Sequence, residues 1–400
     1  MKVLKTQYRF RIANTRPNLN VVVIFRLCSV ALGVLAVLGT AGARAQSADV
    51  YTVTGVLVDI TADTAAVARR QAIEEGHRLA LNRLLQRLVV RDQLNRIPAL
   101  TRADIDPLVL SFGIDSERRS SVRYIGDLRF QFGLAEVRAF LKNLNVGFAE
   151  TRSKSVLLLP AYSAAGVTLL WDDPNPWLNA WNRIPPSDGL VPIRLPAGNL
   201  ADIRDITAEQ AASGNERQLA LIAKRYGAYA ALVAHASQNL DPATGATMIN
   251  VATRYFGDAG WESTVIQSFA FGEGETPETV LVRAAQEVSR RIEEDWKREN
   301  LLRFDRSSDL IADLAIEDLR EWVDIRQRLR QIAFLWNTQL VSISRGQMSV
   351  RLSFFGDAKQ LRVALVQRDL VLEQSDVNWT LRDRRARPAV TPAGKVQERQ

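Results

Sequence analysis

The first 45 residues carry seven basic side chains (Lys2, Lys5, Arg9, Arg11, Arg16, Arg26 and Arg44) and no acid, and they close on Ala43-Arg44-Ala45 behind an apolar run. That is the pattern of a secretory signal: a positive flank, a stretch from Leu27 to Leu38 able to engage an export channel, and small residues at Ala43 and Ala45 for a signal peptidase. Everything that folds is then expected after Ala45, outside the cytoplasm. An uncleaved anchor is the rival reading, because Asn20 to Ala43 approaches the length of a bilayer span. Arg26 interrupts that span and favours cleavage.

The whole chain has a formal charge of +8, and removing the seven signal cations leaves 45 Lys and Arg against 44 Asp and Glu. A nucleic-acid binder concentrates positive charge in its folded domains, so no nucleic-acid partner is expected. The only cysteine, Cys28, sits inside the apolar run without a lipobox before it. The mature chain therefore has neither a thiol nor a disulfide. With two histidines, His77 and His235, it also lacks the Cys and His inventory of a zinc site. No metal and no cofactor are expected. There is no G-x-S-x-G elbow and no phosphate-binding G-x-x-x-x-G-K loop. Gly272-Glu-Gly274 opens like a dinucleotide motif, but Pro277 stands where its third glycine belongs.

Composition shifts near residues 147–154 and 299–309 read as joints and divide the remainder into an α+β domain over 46–148, an α/β domain over 152–300, a small α+β domain over 308–382 and a disordered tail over 383–400. The fold class expected is thus mixed α/β and α+β. In the first domain a strand over 51–60, broken at Gly55, precedes a long helix over 63–91. Ala68, Ala72, Gly76 and Ala80 recur along it at every fourth position, giving a narrow face that a sheet can approach closely. A helix over 102–111, a strand over 122–132 and a helix over 134–144 complete the domain. The second opens on the apolar strand Ser155 to Pro160, continues through a short strand near 190–195 and one helix over 208–226, and ends in three strands and a helix over 277–298. The third starts at a helix carrying Trp322, Ile325 and Leu329, followed by strands over 338–344 and 349–355, a helix over 358–367 and a strand at 370–372.

These elements carry a resemblance. The strand, small-residue helix and second strand of the first domain, together with Leu157-Leu-Leu-Pro160, Ile222-Ala-Lys-Arg-Tyr-Gly227, the Trp322 to Leu329 helix and Phe355-Gly-Asp followed by Gln360-Leu361, resemble the secreted proteobacterial domain-of-unknown-function family 2066. Locally, the first domain is similar to amino-terminal modules of flagellar envelope proteins. The segment Leu219 to His235 is similar to the amino-terminal domains of the Tol-system β-propeller protein and of lipoprotein activators of cell-wall synthases. The resemblance implies a periplasmic address and brings no catalytic residues.

Two patches qualify as binding sites. The first is Trp171-Asp172-Asp173-Pro-Asn-Pro-Trp177-Leu-Asn-Ala-Trp181. Asn175 caps a short helix there with Pro176 at its first position, so Trp177 and Trp181 fall one turn apart on one face. That face either closes a core or docks a partner, since indoles bury much area at low entropic cost. The second is the stripe Arg83, Arg87, Arg91 at fourfold spacing, suited to phosphates or anionic cell-wall polymers. Helix-face solvation is its ordinary use. His77 reads as a solvated partner of Glu74, His235 as a hydrogen-bonded sheet histidine beside Ser237, and Glu293-Glu294-Asp295 as a salt-bridged helix surface. No catalytic residue is assigned. The function expected is a non-catalytic envelope binding or scaffold module, partnered by an envelope protein or cell-wall component; a carboxylate-dependent hydrolase of cell-wall or glycan material is the alternative. A hydrolase needs a concave pocket with convergent polar groups, whereas a scaffold exposes an apolar patch or a sheet edge.

Overall fold

Why the first helix lies so close to its sheet follows from its small residues. In chain order the first unit is β1 (Thr52–Thr61), α1 (Ala65–Leu88), a short α2 (Arg102–Ile105), β2 (Val109–Arg119), β3 (Arg123–Phe132) and α3 (Leu134–Asn143). The strands form an antiparallel sheet in the order β1-β3-β2. Ala68, Ala72, Gly76 and Ala80 are all buried against it. A methyl on Gly76 would stand 2.5 Å from Leu128 Cδ1 and 3.2 Å from Phe130, so the helix axis sits nearer than any larger residue permits. The computed structural model describes residues 50–241, 244–257, 264–302, 307–316, 318–332, 334–344, 346–375 and 378–385. The signal segment with Ala43 and Ala45, and residues 386–400 of the expected tail, lie outside the described residues.

The helix expected over 102–111 is shorter than its pattern promised. It stops at Ile105, passes through a 3-10 turn at Asp106–Leu108, and gives way to the eleven-residue strand β2. Pro107 sits in that turn, where the ring cannot continue a helical hydrogen-bond ladder. Asp115, Glu117, Arg118 and Arg119 had disguised β2 as a loop, because an edge strand exposed along most of its length needs little apolar alternation.

The middle unit runs β4 (Val156–Ala164), β5 (Val167–Leu169), α4 (Pro176–Arg183), β6 (Ile193–Arg194), α5 (Leu200–Asp205), α6 (Ala208–Ser213), α7 (Glu216–Arg225), β7 (Ala230–Leu240), β8 (Thr247–Phe256), β9 (Val265–Ala270) and α8 (Pro277–Glu299). Strand β4 is buried at its first seven positions because helices cover both faces of the sheet. Leu158 faces the cluster containing Trp177, Ala284 and Val288, whereas Leu157 and Leu159 face the cluster containing Leu219 and Ile222. Strands β6 and β7 flank β4 in parallel, and β8 and β9 continue antiparallel. The single helix expected over 208–226 is two, divided at Gly214, whose φ of +83° is the left-handed conformation of a helix end.

In the last unit come β10 (Ser307–Ala315), α9 (Leu319–Leu329), β11 (Leu335–Ser344), β12 (Gln347–Phe355), α10 (Ala358–Val366), β13 (Leu370–Gln374) and β14 (Trp379–Asp383). Their order in the sheet is β11-β12-β10-β14-β13. Two of these strands went unread. β10 lies where a joint was expected, and its inward Leu310, Ala312 and Leu314 alternate with Asp309 and Asp313, which accept hydrogen bonds from Ser353 and Ser349. β14 reaches Asp383, which forms an ion pair with buried Arg328, so order extends past the boundary set at residue 382. The buried side chains of the first and last units belong to one continuous hydrophobic cluster. The architecture is mixed α/β with antiparallel and mixed sheets. No helix among the described residues is long and apolar enough to cross a membrane.

Candidate functional site

The Trp-rich segment is core. Asn175 Oδ1 accepts from the N–H groups of Trp177 (3.0 Å) and Leu178 (3.1 Å), and its Nδ2 donates to Pro160 O and Leu170 O, which fixes the start of α4 against β4. Trp177 is fully buried and its Nε1 donates to Ala234 O at 2.9 Å. Trp181 lies beside it edge-on, ring centroids 5.6 Å apart, also buried. Of the two readings of this pair, core closure and docking, the structure matches the first: α8 packs on it, and both indoles join the core beneath the central sheet. Trp171 is half-buried with its Nε1 on Ile206 O at 2.7 Å. Asp172 and Asp173 stay exposed on the approach to α4.

The histidines also have structural partners. His77 is buried rather than solvated, with Nδ1 on Ile73 O at 2.8 Å and its ring against Phe130 and Phe112. His235 Nε2 meets Ser163 Oγ at 2.8 Å, on the neighbouring strand β4, instead of Ser237. Burial, with the Arg254 charge second, holds its pKa below the ordinary imidazole value.

The arginine stripe is brought together, but much of it is spent on the protein's own backbone. Phe132 N–H donates to Tyr51 O, so the carbonyls of Val50 and Thr52 point away from β3. Arg87 Nη1 donates to both, at 2.5 and 2.8 Å, and its Nη2 pairs with Asp188. Arg83 Nη1 donates to Gly55 O at 2.8 Å, where β1 bulges and Gly55 takes φ +65°. The two guanidiniums thus cover the open edge of β1. They line a cleft of about 810 Å³ between α1 and α8, to which the loop 184–189 also contributes. Across it Lys297 Nζ donates to Gln86 O (2.9 Å) and Val89 O (2.8 Å) and pairs with Glu294 at 2.6 Å. Glu293 accepts from Leu190 N–H, Val191 N–H and Ser187 Oγ at 2.9 to 3.1 Å. These bonds favour its charged form, yet burial outweighs them and raises its pKa above the ordinary glutamate value. The helix surface expected at Glu293–Asp295 is in part an internal fastening.

The surface that the sequence reading passed over is β11. One side of this ten-residue strand pairs with β12, and its other side meets no strand among the described residues. Nine of its ten positions are not buried, including Trp336 (56% exposed), Leu340 (42%), Val341 (48%) and Ile343 (55%). Leu340 and Ile343 stand opposite Val350 and Met348, both buried, so they belong to the inner face where the helical layer does not reach the edge. A signal for it was present: no charged residue occurs between Arg330 and Arg345.

No family model matches this chain, and no curated protein matches it. Function has to come from the chemistry of its surfaces. Among sheet edges β11 differs in kind. β1 is covered by Arg83 and Arg87, β2 carries four charges, and β13 holds Glu373 paired with Arg382. β9 is uncharged but six residues long, and Arg283 Nη2 takes its last carbonyl, Ala270 O. Natural edges are guarded by charge, proline or covering elements. β11 has no charge and no proline; only bulges at Leu335/Asn337 and Leu340/Ser342 bend it. Its unpaired N–H and C=O groups are a template for one more strand.

Proposed function

We propose that this chain is a non-catalytic binding module of the bacterial envelope, exported to the periplasm, that docks an extended segment of another envelope protein along β11. The observation carrying the proposal is the ten-residue, uncharged, apolar free edge. An added strand satisfies the edge's backbone groups, and its alternate side chains cover Leu340 and Ile343. The cleft supports binding over hydrolysis, because Glu294 is held by Lys297 and Glu293 by three donors of the loop, leaving neither carboxylate positioned as a mobile acid or base. The export signal and the likeness to secreted proteins support the address.

Co-sedimentation of the purified protein with isolated envelopes tests this. The double variant Leu340→Lys, Ile343→Lys, altered only at exposed positions, should bind at least about tenfold more weakly, a loss near 1.4 kcal/mol. Unchanged binding contradicts the proposal. Release of sugars from cell-wall material by the wild-type protein would favour the hydrolase instead.

A further inference from the structure

The cleft between α1 and α8 holds hydrogen-bonding capacity that its own walls leave unused, and all the free charge in it is positive. Arg87 is 93% buried at its side chain, and its Nε has no acceptor in the structure although both Nη atoms are engaged. Arg91, one turn on, is exposed; its backbone N–H donates to Glu294 at 3.0 Å, and its guanidinium makes no hydrogen bond or ion pair among the described residues, acting only through its charge on Glu287. Gln86, Gln286 and Ser289 also line the cleft. The acids, by contrast, are occupied: Asp188 by Arg87, Glu294 by Lys297, and Glu293 by three donors of the loop. A ligand entering here meets amides, a hydroxyl and guanidinium N–H groups. Such a lining selects an oxygen-rich, negatively charged molecule, since guanidinium forks bind carboxylate and phosphate.

The apolar part of the lining narrows the class. Leu94 and, from the loop 184–189, Ile184, Pro185 and Pro186 give the lining its apolar part. Apolar patches flanking polar side groups suit the faces of pyranose rings. A volume of about 810 Å³ falls within the range of small-molecule sites. The walls are also rigid: Lys297 ties α8 to the carbonyls of Gln86 and Val89 at the end of α1, and Gly189 packs so tightly on Glu293 that a methyl there would come within 2.3 Å of Oε1.

We infer that this cleft is a second binding site, distinct from β11, for a short acidic saccharide whose carboxylate or phosphate is met by the exposed guanidinium of Arg91, beside the buried charge of Arg87, while its rings lie against Leu94 and the Pro185-Pro186 loop. It does not depend on strand docking at β11.

Isothermal titration of the full chain with trigalacturonate, glucose 1-phosphate and neutral maltotriose tests this, the two acids distinguishing carboxylate from phosphate. One acid at least should bind and maltotriose should not. Arg91→Gln, at an exposed side chain that forms no ion pair among the described residues, should weaken that binding about tenfold, and Ser289→Tyr, which fills the cleft, should abolish it. Arg217→Gln, an exposed cation on α7, should leave it unchanged. Failure of both acids to bind at about 10 mM, a free energy below about 3 kcal/mol, would overturn the inference. So would equal losses in Arg91→Gln and Arg217→Gln, which reveal unspecific charge attraction, or binding that survives Ser289→Tyr.

Discussion

At the scale of single residues, similar side chains have unlike energies because their partners differ. Trp177 and Trp181 are both buried, yet Trp177 Nε1 has Ala234 O as acceptor and Trp181 Nε1 has none. Replacing either by Phe removes similar volume, but only Trp177→Phe breaks a hydrogen bond. In chemical denaturation Trp177→Phe should therefore be the costlier change by about 1 to 3 kcal/mol. Equal costs would show that the bond contributes nothing. Glu293 yields a pH dependence of definite sign. Its folded pKa is raised, chiefly by burial, so the native state holds a proton that the unfolded chain has already released. Stability from this group is present below the unfolded value, about 4.3, and is lost as pH rises through the raised value. Unfolding curves should show wild type losing ground relative to Glu293→Gln as pH rises from about 4; a parallel course would contradict the assignment. Such roles were partly legible in sequence. The cap at Asn175 and the fourfold spacing of the arginines could be read, because both are local. That Arg87 serves the carbonyls of Val50 and Thr52 depends on a strand more than thirty residues away.

At the scale of elements, helices with a strong period announced themselves and one-sided strands did not. α1, α8 and α9 emerged within a few residues of expectation. β2, β10 and β14 were missed, because their exposed positions carry charges and their inward positions depend on which neighbours cover them. The small-residue face of α1 shows the opposite case, in which sequence spacing foretold packing. Gly76→Ala ought to stabilise an isolated helix by about 1 kcal/mol. Here its methyl would press on Leu128 and Phe130, and overpacking of that kind costs about 1 to 3 kcal/mol. The measured melting temperature should fall; a rise would mean that the helix has room to lift from the sheet.

At the scale of the whole molecule, β11 is the longest uncharged edge of the three sheets among the described residues. The first and last units share a hydrophobic cluster, the edge of β1 is occupied by arginines, and the cleft between α1 and α8 is fastened by Lys297. Among the described strands β11 alone combines length, exposure and absence of charge. Strand docking at that edge is the central claim, and it makes a geometric demand: a partner strand must keep step with β11 residue by residue. The most direct measurement is a photocrosslinking walk in intact envelopes, with a photoreactive residue placed in turn at Thr338, Leu340 and Ser342, and the captured position in the adduct read by mass spectrometry. The account predicts one partner segment, along which the captured residue advances steadily, by about two positions from Thr338 to Leu340 and by one or two across the bulge at Leu340/Ser342. Adducts scattered over unrelated positions, or none from β11 while Arg217 on α7 yields them equally well, would contradict it.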